Sequence, residues 1–223
     1  MEIKMSFNVA IDGPAGAGKS TIARQVAKRM NFIYVDTGAM YRAMALHMLK
    51  QGVLATDEKA LEKACEKADI TIVYQDGEQQ VLLNGENVNG LIRTEEVGKM
   101  ASAVAKNGKV REKLVALQQK LASQADVVMD GRDIGTCVLP EADVKVYLTA
   151  STKERAKRRY KELLEKGEPC VLEEIEADII ARDEQDMNRE ISPLKKAEDA
   201  ILVDASDMTI QEVTDKMIAL CNK

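Results

Sequence analysis

The chain has 223 residues, 45% of them hydrophobic and 3% aromatic, with a net charge of −5. That length suits one domain of ordinary size with an aliphatic, methionine-rich core. The acidic balance argues against a protein that coats nucleic acid. The chain has no run of 18 apolar residues and no signal-like start, so no membrane or export role is expected and a cytoplasmic protein is.

Phe7-Asn8-Val9-Ala10-Ile11 reads as a buried strand. It runs into Gly13-Pro14-Ala15-Gly16-Ala17-Gly18-Lys19-Ser20, which fits G-x-x-x-x-G-K-[ST] at every fixed position. Ile22, Ala23, Val26, Ala27 and Met30 then fall on one helical face. Strand, glycine loop and helix in that order make a phosphate-binding loop. Its backbone N–H groups turn inward around an anion, and the helix start adds its own N–H groups and dipole. Gly13 through Ser20, with Thr21, are the expected contacts to a nucleoside di- or triphosphate. Lys19 would reach the β- and γ-phosphates, and the Ser20 hydroxyl would hold Mg²⁺.

Phe32-Ile33-Tyr34-Val35 is a second strand, followed by a helix carrying Met40, Ala43, Met44 and His47. Asp36 or Thr37 caps that helix, and both are also pocket candidates. Arg42 lies near the positive end of the same helix, where the dipole gives a cation no reason to be and a phosphate would supply one. His47, the only histidine, reads as a packed residue with no second imidazole to share a metal. Cys65, Cys137, Cys170 and Cys221 are scattered, without a C-x-x-C, as in a reduced protein.

A helix over 57–67 buries Leu61, Ala64, Cys65 and Ala68. Ile70 to Tyr74, Gln80 to Leu83 and Asn87 to Asn89, punctuated by Asp76-Gly77 and Asn84-Gly85, then form an antiparallel meander. The meander is expected to be a small insert over 66–92, leaving 1–65 and 93–223 as the core. Thr94 caps a helix with Val97, Met100, Ala101 and Val104, and Asn107-Gly108 breaks it. A longer helix follows, with Val110, Leu114, Leu117 and Leu121 on its apolar face. Ser102 and Arg111 have no packing duty in this pattern.

Val127-Val128-Met129 is an apolar strand ending in Asp130-Gly131-Arg132-Asp133. An acid at the carboxyl end of such a strand is where a Mg²⁺–water partner sits, which makes Asp130 the second metal candidate. Arg132 belongs to the loop over the strand ends, as a ligand contact or as half of a surface ion pair. After the strand Val144 to Leu148, Ser151-Thr152-Lys153-Glu154 is a capping box. Its helix carries Arg155, Arg158 and Arg159, turns at Lys166 to Pro169, and leads into a second helix from about Leu172. This hinged, arginine-rich pair, about 155–185, looks like a lid. Arg182, Asp186 and Arg189 share a helical face, as a salt-bridge ladder or as a lining for phosphate and sugar. Ile191 to Leu194 stops the helix, Ile201 to Val203 is the last strand, and Thr209 to Glu212 caps the last helix, which carries Ile210, Val213, Met217 and Leu220. The expected fold is α/β: a P-loop NTPase, with a five-stranded parallel sheet flanked by helices, a small antiparallel β insert and a helical lid.

With Ile11 to Lys19, Asp36-Thr37-Gly38-Ala39-Met40-Tyr41-Arg42, Ile92 to Val97, Asp130 to Thr136, and Arg182-Asp183 through Asp186, Asn188 and Arg189 in view, the chain resembles the bacterial cytidylate kinases over essentially its whole length. The phosphate loop is common to many enzymes; the other four stretches are far more selective. The resemblance implies transfer of the γ-phosphoryl group of ATP to CMP or dCMP, with Mg²⁺. It implies cytosine contacts at Thr37, Ser102, Arg111, Asp133 and Arg189. Arg42 and Arg132 would meet the CMP phosphate, and Arg182 and Asp186 the sugar. Lys19, Arg132 and Arg182 would be the catalytic cations. Thr37 stands where the family often has serine, which keeps the hydroxyl. The partners are then small nucleotides, not nucleic acid or membrane, and a monomer is expected. The nearest alternative is a kinase with UMP or AMP as acceptor. A nucleotide switch is more distant, since no N-K-x-D guanine signature is present.

Overall fold

The computed structural model describes residues 6–75 and 77–222. Asp76, the first residue of the expected Asp-Gly turn, lies outside them; its partner Gly77 has φ +78°, as a tight hairpin turn requires. The chain divides into two compact units. One comprises Met1–Phe32 and Asp126–Lys223, the other Ile33–Ala125.

The first unit holds β1 (Asn8–Asp12), α1 (Lys19–Met30), β6 (Val127–Gly131), β7 (Val144–Thr149), α6 (Thr152–Glu165), α7 (Leu172–Asn188), β8 (Ile201–Asp204) and α8 (Ile210–Cys221). The second holds β2 (Ile33–Asp36), α2 (Thr37–Lys50), α3 (Glu58–Lys67), β3 (Ile70–Gln75), β4 (Glu78–Leu83), β5 (Glu86–Asn87), α4 (Glu95–Val104) and α5 (Gly108–Gln124). The large sheet has the order β2-β6-β1-β7-β8, the five parallel strands expected. Strand β1 is flanked in register on both sides, with Ile11 beside Asp130 of β6 and beside Val146 of β7. A strand so placed is covered on both faces and reads as an unbroken apolar run. Val9, Ala10, Ile11, Val127, Val128, Met129, Val146 and Leu148 are all buried. The carboxyl ends of β1 and β6 therefore lie side by side and present Asp12 and Asp130 together.

The meander is a three-stranded antiparallel sheet, β3-β4-β5, with Ile70 opposite Leu83 and Ile72 opposite Val81. Its alternate residues Ile70, Ile72, Val81 and Leu83 are buried. Helix α5 buries Val110, Arg111, Leu114, Gln118 and Ala122, so the expected stripe through Leu117 and Leu121 drifts by one position after its first turns. Asn107 ends α4 as expected and also caps α5, accepting from the N–H of Lys109 and Val110. In α8 the buried face is Val213, Thr214 and Met217; Ile210, the first helical residue, is half exposed. The Ser151 to Glu154 box forms by half. Ser151 accepts from the Glu154 N–H at 3.2 Å, while the Glu154 carboxylate pairs with Arg158 instead. A π-helical turn at Ile134–Val138 has no signature in the apolar periodicity.

Candidate active site

The loop Gly13–Gly18 joins β1 to α1 as the motif demands. Gly13 has φ +149° and sits so close to β7 that a Cβ there would lie 1.9 Å from the Leu148 carbonyl oxygen, so only glycine fits. Gly18 is the N-cap of α1 and no side chain caps that helix. The first intrahelical bond is Ile22 N–H to Gly18 O at 3.1 Å. Among the described residues the N–H groups of Gly16, Ala17 and Gly18 have no acceptor. Ala17 is buried and Gly18 half-buried, where N–H groups are rarely left so unless a ligand takes them; Gly16, at the loop apex, is exposed.

Lys19 is buried and donates from Nζ to the Pro14 carbonyl at 2.7 Å. Burial and the neighbouring Arg132 pull its amine down to about 7, against the attraction of Asp130, Asp12 and Asp186. Ser20, in the first turn of α1, donates to Asp130 Oδ2 at 3.0 Å. Thr21 is the next residue of that turn and is exposed.

Besides Asp130, four carboxylates of the first unit lie near this loop, each with a different partner. Asp12 accepts from the N–H of Ile134 at 2.7 Å and of Gly135 at 2.8 Å, and so caps the π-helical turn from another strand. Burial pushes its carboxyl up to about 6, with Asp133 adding to the effect and the two N–H groups and Lys19 opposing it. Asp186 of α7 accepts from Arg132 Nε at 2.8 Å. Asp133 pairs with Arg189 at 3.5 Å, both side chains nine-tenths buried. Asp183 of α7 pairs with Arg155 of α6 at 2.6 Å. Of the two readings of the α7 face, the pairs of Asp186 with Arg132 and of Arg189 with Asp133 are therefore not those of a ladder within the helix. Arg189 is the C-cap residue of α7, with φ −66° and ψ 142°, and its Nε donates to Ser192 O at 2.6 Å. The Asp186 carboxylate goes to Arg132. The structure brings Lys19, Ser20, Asp130, Arg132, Asp133, Asp186 and Arg189 together around the strand ends. Arg182 lies on α7 beside Asp183.

In the second unit the helix cap is Asp36, whose Oδ1 accepts from the Ala39 N–H at 2.9 Å and whose Oδ2 takes the Arg93 guanidinium at 2.8 Å. Thr37 is the first helical residue, and it is buried. Gln79 of β4 grips Asp36 through both backbone groups, at 2.8 and 3.3 Å, which ties the meander to the start of α2. Arg42 Nη1 donates to Ile92 O at 3.2 Å and lies 3.1 Å from where a Cβ on Gly98 would be. Glycine at 98 therefore makes the seat for that guanidinium. Ser102 is half buried on α4. Arg111 is not free of packing: it is 4% exposed, its guanidinium 5.9 Å from the centre of the Tyr41 ring.

Comparison with known proteins agrees with this architecture. The cytidylate kinase family model matches residues 9–223. A cytidylate kinase of Carboxydothermus hydrogenoformans is 49% identical over 97% of this chain and 98% of its own length. That of Bacillus subtilis is 49% identical over 98% and 96%. The chain belongs to the cytidylate kinase family. Its members are ATP-dependent nucleoside-monophosphate kinases, and so is this chain. Among solved structures, a gluconokinase from Sinorhizobium meliloti superposes with a TM-score of 0.50 at 14% identity, over 98% of this chain and 93% of that one. That likeness concerns the fold only.

Three residues of the kinase's first unit carried no assigned site role. Asp12 ends β1 just before the loop motif, and its signal was an acid closing an apolar strand. Arg155 was one of three arginines expected in the lid, with no partner assigned, and it is 4% exposed. Asp183, its partner, hid beside Arg182.

Proposed function

We infer that this kinase transfers the γ-phosphoryl group of ATP to CMP or dCMP. The observation that carries the reading is the loop itself: three N–H groups without acceptors among the described residues, a helix start with no side-chain cap, and a buried lysine resting on its own loop carbonyl. A polyphosphate would take the N–H groups of Gly16, Ala17 and Gly18 and draw Lys19 off Pro14 O. Gly13, Pro14 and Ala15 shape the loop, and Thr21 extends the first helical turn.

Ser20 Oγ and the buried Asp130 carboxylate, 3.0 Å apart, are hard oxygen donors of the kind Mg²⁺ takes while keeping most of its water. They would hold the ion, Asp130 through a water. The ion supplies neutralisation of the phosphate oxygens as negative charge moves.

Phosphoryl transfer asks for alignment and for positive charge around the moving group. Lys19, Arg132 and Arg182 are assigned that charge. No general base is needed, because the acceptor is already a phosphate anion. Arg42 and Arg132 are assigned to the CMP phosphate, Arg182 and Asp186 to the sugar, and Thr37, Ser102, Arg111, Asp133 and Arg189 to the base. The Asp133–Arg189 pair supports this, since it offers a carboxylate acceptor beside a guanidinium donor. Cytosine shows an amino donor next to two acceptors, whereas uracil would set a carbonyl against Asp133. A buried unpaired polar group costs about 1–3 kcal/mol, enough to reject UMP.

The test is a coupled ADP-release assay with ATP and Mg²⁺ against CMP, dCMP, UMP, AMP and GMP. Turnover confined to CMP and dCMP is expected. Equal turnover with UMP or AMP would refute the base assignments and leave the loop's role standing.

A further inference from the structure

Arg155 is engaged by four protein acceptors at once. Its Nε donates to Ala150 O at 2.9 Å, its Nη1 to Ala15 O at 2.9 Å, its Nη2 to Thr152 Oγ1 at 3.2 Å, and its Nη2 pairs with Asp183 Oδ2 at 2.6 Å. Its Cβ lies 3.4 Å from where a Cβ on Gly16 would be, so its stem packs along the apex of the phosphate loop. One side chain thus touches the loop, α6 and α7.

We propose that Arg155 is a positioning residue for the nucleotide phosphates: it fixes the Ala15–Gly16 peptide so that the Gly16 N–H faces the bound anion, and it ties that peptide to α7 through Asp183. The proposal rests on the reading that the loop binds ATP. The peptide is trans, so its C=O and N–H point in opposite directions. A guanidinium holding the Ala15 oxygen therefore turns the Gly16 N–H away from itself. Gly16 has φ +75°, a conformation that glycine enters and leaves at little cost. The loop sequence alone would let this peptide flip, and the flipped peptide would aim a carbonyl oxygen at the phosphates. Arg155 supplies the bias that Gly16 lacks. Arginine suits the task because its planar fork reaches several acceptors and stays charged while buried. Lysine would keep the charge and lose the fork.

Asp183 is nine-tenths buried and its Oδ1 has no hydrogen-bond partner among the described residues. Removing Arg155 alone would strand that carboxylate and endanger the fold. The informative variants are therefore Arg155→Lys and the double variant Arg155→Met with Asp183→Asn, which removes both charges together. Circular dichroism and the unfolding midpoint establish that each folds. Affinities for a non-hydrolysable ATP analogue and for CMP are then measured by calorimetry, and the Gly16 amide is followed by ¹⁵N NMR with and without the analogue.

In the double variant the analogue should bind roughly tenfold or more weakly, the worth of one well-placed hydrogen bond to a charged group, while CMP affinity stays within about twofold. Arg155→Lys should fall between the two. The Gly16 amide signal should shift or split in the nucleotide-free double variant, reporting a peptide no longer held one way. Analogue affinity within twofold of wild type in the double variant, or an equal loss for CMP, would overturn the proposal. An unmoved Gly16 signal would do so without any nucleotide. Should the wild-type protein fail to bind the analogue, the ATP reading falls on its own, and the nucleotide-free amide signal still decides whether Arg155 holds the peptide.

Discussion

Helices α1 and α8 pack against each other in the first unit, and their N-termini are built in opposite ways. Helix α8 starts at Thr209, whose hydroxyl accepts from the Glu212 N–H at 3.2 Å while the Glu212 carboxylate accepts from the Thr209 N–H at 2.8 Å. Both orphan donors are satisfied from within. Helix α1 starts at Gly18 with no side-chain cap and no acid in its first turn. Between the two lies a third solution: the π-helical turn at Ile134–Val138 takes its acceptors from Asp12, more than a hundred residues away in sequence. A helix start that serves stability is closed by its own residues. One that serves position is closed by a remote carboxylate. One that serves binding is left open, with a buried cation at its first residue.

The open start is the most sensitive of the three. Lys19→Met removes the buried amine and leaves the N–H groups intact. Transition-state charge lost at a preorganised site lowers turnover on the order of 10³-fold, and kcat of the coupled assay is expected to fall by that much. The unfolding midpoint of the nucleotide-free protein should hold, because burial already disfavours this charge. A collapse of the midpoint would mean that Lys19 braces the loop and that the contrast with α8 is wrong.

The closed starts were legible in the sequence and the remote one was not. Thr209 with Glu212, and Thr94 with Val97, follow short-range rules, in which a residue's partners lie within four positions; the glycines at 13, 16 and 18 were legible as a local motif. The strands were legible for a similar reason, since β1 and β6 are apolar runs covered on both faces. Asp12, Arg155 and Asp183 find partners 122, 140 and 28 residues away, and periodicity carries no information over such distances. The register that sets Ile11 beside Asp130 creates the neighbourhood in which Asp12 works. The pairing of Asp186 with Arg132, where the sequence left open a helical ladder with Arg182 and Arg189 or a site lining, has the same origin: the partner comes from a loop over the strand ends, not from the helix's own i+3 and i+4 neighbours.

The remote cap gives a prediction with a sign. The Asp12 carboxyl is raised from 3.8 to about 6 by burial. An acid whose value is raised on folding stabilises the protein below its unfolded value and loses that contribution as pH rises through its folded value. Asp12→Asn does not titrate, and its single carbonyl oxygen serves one of the two N–H groups at Ile134 and Gly135. The stability of wild type relative to Asp12→Asn should therefore fall as pH rises from about 4 to about 7, by up to about 3 kcal/mol. Denaturant unfolding of both proteins across that range measures it. A difference that is flat with pH would mean that Asp12 stays ionised throughout and that its two N–H bonds outweigh its burial.

The self-closed start should give the smallest effect, and one of a different kind. Thr209→Ala removes the hydroxyl that accepts from Glu212 and leaves the Glu212 carboxylate on the Thr209-position N–H. Losing a threonine cap costs about 1 kcal/mol, which for a chain of this length lowers the unfolding midpoint by about 2–4 °C. KM for ATP and for CMP, and kcat, should be unchanged, since the open end of α1 is held by Gly13 against the Leu148 carbonyl and by Arg155, not by α8. A midpoint that drops while KM for ATP rises would show that packing of α8 on α1 transmits to the loop. The division of labour between closed and open helix starts would then be one of degree, and α8 would have to be counted among the elements that position the phosphates.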